Sequence, residues 1–177
     1  MNKAITIMID DVLNNFTQML GDMGIEYNPK LETICDQKFR DIFYTPEGEL
    51  TPAAKKAMGG TLAKRDGIEF SQWLKENGWT IVLCTDRDIR MAYDITKKWL
   101  DEQGVRYDYL FTATTPAGLC VDMDITLMVY NLPNGDENHF NVVCFKLTAP
   151  DGQKRPFLLG DFQNFEEVKQ CIQKKNC

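Results

Sequence analysis

Three continuous apolar runs most restrict what this chain can fold into: "AITIMI" near its start, "WTIVLCT" at 79–85 and "DITLMVY" at 124–130. Uninterrupted runs of this length, rich in β-branched residues, read as strands buried on both faces. Amphipathic patterns separate them. "GIEFSQWLKENG" reads as a helix ending at Gly78. "IRMAYDITKKWLDEQG" places Ala92, Ile95 and Trp99 on one stripe, with Asp88 as its cap and Gly104 past its end. "NNFTQMLGDMG" sets Phe16, Met19, Leu20 and Met23 on one face and stops at Gly24. "YDYLFTA" is a further strand, and "TTPAG" after it has the composition of a loop. "HFNVVCFKL" and "RPFLLG" read as a hairpin across the turn "TAPDGQ", and "FEEVKQCIQKK" closes the sequence as a helix. The alternation predicts an α/β fold with a mostly parallel sheet covered by helices.

The stretch from 25 to 66 breaks this rhythm. Pro29, Pro46, Gly48, Pro52, Gly59 and Gly60 punctuate it. Between them "KLETICDQKFRDIF" and "TPAAKKAMG" are helical, the second opening on a Thr51-Pro52 cap. The 177 residues are therefore expected to form a single domain, residues 1–177, with a small helical insertion over 17–66.

Composition narrows the function classes. Hydrophobic residues make up 44% and charged residues 26%, globular values. A net charge of −6 argues against nucleic acid as a partner, since phosphate neutralisation needs clustered Lys and Arg. "AITIMI" is short, runs into acids and lacks a cleavage site, and nothing approaches the ~20 apolar residues of a membrane span. No membrane partner and a cytoplasmic location are expected. The six cysteines show no CxxC, and His139 is the only histidine. Buried free thiols are expected rather than disulfides or a zinc site.

Open sheets of this kind bind ligands beyond the carboxyl ends of their strands. The residues to interrogate are then 8–11, 85–88, 112–115 and 130–133. Here the residues carry a resemblance. "MIDDVLNNF" is similar to the first motif of haloacid-dehalogenase-like phosphatases, in particular the 5'-nucleotidase and deoxyribonucleotidase branch, which reads D-x-D-G/D-V-L-x-x-F. "WLKENGWTIVLCTDRD" resembles that branch's second motif, and "ITKKWLDEQGVRYDYLF" the stretch after it. The resemblance runs to about Pro133. It implies a Rossmann-like core, with the insertion as the family's cap.

The chemistry it implies needs a nucleophilic Asp and a second Asp two residues on as acid/base. It also needs a Thr or Ser with a Lys to bind the phosphoryl group, and paired acids to hold Mg²⁺. Asp10 falls on the acid/base position and Met8 on the nucleophile position. Thr85 keeps the second motif's hydroxyl. No lysine occurs from Tyr107 to Phe145, where the third motif's Lys belongs. Tyr130 and Asn131 stand where the paired acids belong. A thioether cannot form an aspartyl-phosphate, and the remaining oxygens are too few for a hard cation. Losses of charge-neutralising groups that act as a unit cost orders of magnitude in rate. The expectation is a ligand-binding or regulatory protein without catalysis and without cofactor, Mg²⁺ returning only if the chain still hydrolyses phosphate monoesters.

Candidate ligand-binding residues are Asp11, Thr85, Asp86, Arg87, Tyr130 and Asn131, with Arg87 the best suited to an anion. The expected ligand is a nucleotide or other small phosphate compound. Asp10 and Asp11 also have structural readings, the first as an acceptor for its turn and the second as a solvated side chain. "DMDIT" at 122–126 matches the family string D-x-D-x-T, but its apolar run follows rather than precedes it, so Asp122 and Asp124 read as a solvated strand entrance. His139 follows the turn signal "NGDEN", and Trp73, Trp79 and Trp99 read as packing. Two alternatives stay open: a rewired hydrolase using Asp10 or Asp122 and Asp124, and an interaction module docking a protein through the insertion or "HFNVVCFKL".

Overall fold

The computed structural model describes residues 3–25, 41–85, 92–112, 114–131, 140–147 and 154–174. Its centre is β1 (Ala4–Met8), which pairs in parallel with β2 (Thr80–Cys84) on one side and β4 (Leu127–Tyr130) on the other. β3 (Tyr109–Phe111) adds in parallel outside β2. β5 (Phe140–Leu147) and β6 (Lys154–Phe162) continue the sheet antiparallel beyond β4, giving the order β3-β2-β1-β4-β5-β6. This is the mostly parallel α/β sheet that the apolar runs predict. The antiparallel pairing of β5 with β6 matches the hairpin reading.

Helices cover the sheet unequally. α3 (Arg65–Glu76), α4 (Ala92–Gln103) and α6 (Phe165–Lys174) lie over one face. There Phe70, Leu74, Trp99, Leu100, Phe165, Val168 and Ile172 pack on Ile5, Ile7, Ile81, Leu83, Leu127 and Val129. The other face packs Val82, Cys84, Met128, Val143 and Phe145 with Leu119 and Cys120 of α5 (Pro116–Asp122). α5 corrects the expectation of a loop at "TTPAG". Its Thr115 hydroxyl accepts from the Gly118 amide at 3.2 Å, with Pro116 in the first turn. That is the same Thr-Pro start that marks α2 (Pro52–Gly60), where Thr51 accepts from Ala54 at 3.1 Å.

The segment between β1 and α3 builds its own apolar cluster. Met19 and Leu20 of α1 (Phe16–Asp22) pack with Ile25, Phe43, Leu50, Ala54 and Met58. Most of "KLETICDQKFRDIF" lies outside the described residues, as do Asp86, Arg87, Asp88, His139 and the turn "TAPDGQ". The expected stops at Gly24, Gly78 and Gly104 all have φ between +72° and +76°, the left-handed backbone that glycine supplies without strain. Cys84, Cys120 and Cys144 are buried free thiols, and Trp79 and Trp99 are core residues. Among the described residues no helix is long and apolar enough to cross a membrane.

One glycine controls how closely the insertion's exit approaches β1. A Cβ on Gly67, in the first turn of α3, would stand 3.0 Å from the Val12 carbonyl oxygen and 3.2 Å from Leu13 Cδ2. In an open helix, alanine for glycine gains about 1 kcal/mol. Here the backbone of the loop after β1 would have to yield, so Gly67→Ala is expected to lose about 1–3 kcal/mol. A thermal melt showing Gly67→Ala more stable than the parent would contradict this packing.

Candidate functional site

The chain switches direction across the sheet between β1 and β4: β2 and β3 lie to one side of β1, β4 to the other. Crevices at such switch points, beyond the carboxyl ends, are where open α/β sheets place ligands. Asp10 and Asp11 after β1, Thr85 after β2 and Asn131 after β4 all lie there.

Asp10 is only 3% exposed and Thr85 is fully buried. The Thr85 hydroxyl donates to Asp10 Oδ2 at 2.6 Å, and Asn14 Nδ2 stands 3.4 Å from Asp10 Oδ1. A buried carboxylate needs such donors, because isolated ionised carboxylates are costly to remove from water. The Thr85 amide bonds the Phe111 carbonyl at 3.1 Å, and the Thr85 carbonyl accepts from Thr114 at 3.3 Å. Its hydroxyl is thereby held on a fixed backbone.

Asp11 is not the solvated side chain that the sequence suggested. Its carboxylate accepts from the Thr17 amide at 2.8 Å and the Thr17 hydroxyl at 2.6 Å. Asn15, the cap position of α1, makes no side-chain cap bond. Asp11 supplies that acceptor instead. Burial pushes its carboxyl above the ordinary value of 3.8, and the neighbouring Asp10 adds to the push. The Thr17 bonds and the Lys64 charge act the other way. Its backbone is left-handed, φ 58°, a region Asp tolerates better than most residues.

That turn presents the Asp11 carbonyl to two donors. Asn131 Nδ2 approaches at 3.3 Å and Lys64 Nζ at 2.8 Å. Lys64 comes from the segment leaving α2, which runs antiparallel to the loop after β1. The Asn15 amide bonds the Leu62 carbonyl at 3.0 Å, and the Lys64 amide bonds the Leu13 carbonyl at 2.9 Å. Lys64 Nζ also lies 5.5 Å from the centre of the Phe140 ring. Asn131 is 3% exposed, and its Oδ1 has no hydrogen-bond partner among the described residues.

Met8 is half-buried and packs against the main core. Tyr130 does not join Asn131. It packs with the cluster on the opposite face of the sheet, where burial raises its phenol and the Asp161 charge adds to the shift. Asp122 and Asp124 are exposed at the amino end of β4, away from this crevice. Sequence reasoning missed Asn14, Thr17 and Lys64. Asn14 and Thr17 follow the two aspartates at short spacing and could have been suspected as turn and cap partners. Lys64 is 53 residues from Asp11, and no local pattern points to it.

The divalent ion that the family resemblance implies does not fit these residues. Among the described residues no group of three or more His, Cys, Asp or Glu is arranged to hold a metal. Met8 offers sulfur, Asn131 one neutral oxygen, and one Asp10 oxygen is engaged by Thr85. A hard cation takes six or more oxygen ligands and favours charged ones.

No family model matches the chain, and no curated protein matches it. Among solved structures, a structural-genomics target from Vibrio cholerae is 17% identical with a TM-score of 0.38, covering 64% of this chain and 71% of its own. A phosphoserine phosphatase determined in its apo form is 16% identical with a TM-score of 0.42, covering 98% of this chain and 71% of its own.

Two outcomes test the site. Thr85→Val removes the donor to a buried carboxylate and is expected to cost about 1–3 kcal/mol in chemical denaturation, with Thr85→Ser close to the parent. Because Asp11 is pushed up in the folded state, its contribution to stability is whole below 3.8 and lost as pH rises through the raised value. Asp11→Asn cannot ionise. Its melting temperature relative to the parent should therefore climb as pH rises past 3.8 and level off once the raised value is passed. A flat or falling difference would remove the buried-carboxyl reading.

Proposed function

We propose that this protein is a haloacid-dehalogenase-like, 5'-nucleotidase-like chain that binds a ligand or regulates a partner without hydrolysing phosphate esters. The observation that supports this reading best is the Thr85–Asp10 bond at 2.6 Å. In the chemistry the resemblance implies, Thr85 would donate to a phosphoryl oxygen and Asp10 would hand a proton to the leaving oxygen. Here the Thr85 hydroxyl donates its hydrogen bond to Asp10 instead, so the two groups are paired with each other. Met8 beside them has no oxygen with which to attack phosphorus. On this reading 17–66 is a cap, and Asp10, Asp11, Thr85 and Asn131 line a retained ligand cleft for a nucleotide or similar small phosphate compound.

Turnover of an aryl phosphate, with Mg²⁺ and with EDTA, is expected to stay at the rate of buffer alone, and Asp10→Asn to leave it unchanged. A nucleoside monophosphate panel is expected to raise the melting temperature for at least one member, since a ligand bound only by the folded chain stabilises it. Metal-dependent hydrolysis that Asp10→Asn abolishes would end the non-catalytic reading. Exposure of Asp122 and Asp124 at the far end of β4 weighs against a rewired centre there.

A further inference from the structure

We infer that the Lys64 ammonium is the resident cation of this cleft and takes the place that a divalent metal holds in a working phosphatase centre. The inference rests on the family reading above, since that reading makes 131 a metal-holding position. The residue at that position and Lys64 share one acceptor. Asn131 Nδ2 and Lys64 Nζ both donate to the Asp11 carbonyl oxygen, at 3.3 Å and 2.8 Å. The ammonium is therefore beside the amide that has replaced the acid.

Three features hold it there. Lys64 is fixed by its backbone bond to Leu13. Its ammonium stands over the Phe140 ring. Its charge acts on the Asp11 carboxyl. A metal ion brought to the same oxygen would meet a fixed positive charge at close range, and the two repel. The Asn131 amide sits beside this ammonium as a neutral donor to the same oxygen. The substitutions at 8 and 131 and the lysine at 64 then form one change: the site exchanges an external cation for a built-in one, and its occupancy no longer depends on metal supply.

The test is Mn²⁺ binding, read by electron paramagnetic resonance on the full chain. The parent and Asn131→Asp alone are expected to bind no Mn²⁺ at concentrations up to about 1 mM. Asn131→Asp combined with Lys64→Gln removes the ammonium and supplies an acid, and should bind at least about tenfold tighter than Asn131→Asp alone. The inference is overturned if the parent binds Mn²⁺, or if removing Lys64 leaves Mn²⁺ affinity unchanged. A second measurement needs no variant: millimolar Mg²⁺ against EDTA should leave the parent's melting temperature in place, and a rise would overturn the inference. The two proposals fail separately. Turnover in EDTA would sink the non-catalytic reading and leave Lys64 as the cation. Mn²⁺ binding by the parent without turnover would do the reverse.

Discussion

A carboxylate with 3% exposure, at the end of the central strand of a parallel sheet, sets the terms for everything around it. Asp10 has little access to water and must be given hydrogen bonds by the protein. Thr85 gives the short one, which fixes how the end of β2 meets the end of β1. Asn14 stands near the other oxygen, and its side-chain Oδ1 accepts from the Asp11 backbone amide at 3.1 Å. The turn after β1 is thus organised around Asp10. That turn reverses at Asp11, aims one carbonyl at Lys64 and Asn131, and sends one carboxylate to the start of α1. The polar groups around this turn are bonded largely to one another.

The same polar knot joins segments far apart in sequence. Residues 10–17, 64, 85 and 131 meet through side-chain and backbone bonds, while the apolar clusters lie behind them on either face of the sheet. Networks of this sort gain from mutual polarisation when every member has a partner. Among the described residues the Oδ1 of Asn131 has no partner within it.

The strands were legible because both their faces are apolar, so pattern alone identified β1, β2 and β4, and the linear order implied their parallel pairing. The hairpin of β5 and β6 was legible from the turn composition of "TAPDGQ" between two apolar runs. α5 was missed because small residues and a proline outweighed its Thr-Pro start, although the same pair was read correctly at α2. The positions of Asp10 and Thr85 at adjacent strand ends followed from topology. Their bond to each other did not, since it depends on side-chain directions that sequence spacing cannot give. Asp11 was misread as solvated because its partner, Thr17, lies in the next helix. Lys64 was invisible: it reaches the crevice only because the exit of α2 pairs with the loop after β1, a contact between segments about 50 residues apart.

α4 belongs to two cores at once. Ile95 packs against the cluster formed by α1 and α2, while Trp99 and Leu100 lie in the main core. The Trp99 indole donates to the carbonyl of Thr61, at the end of α2, across 2.8 Å. A helix shared in this way acts as a spine rather than a hinge, and the indole works as a bolt. The helical segment cannot swing outward as a rigid flap unless that bolt is drawn and Ile95 is stripped of its neighbours. The emission of Trp99 would register any such excursion.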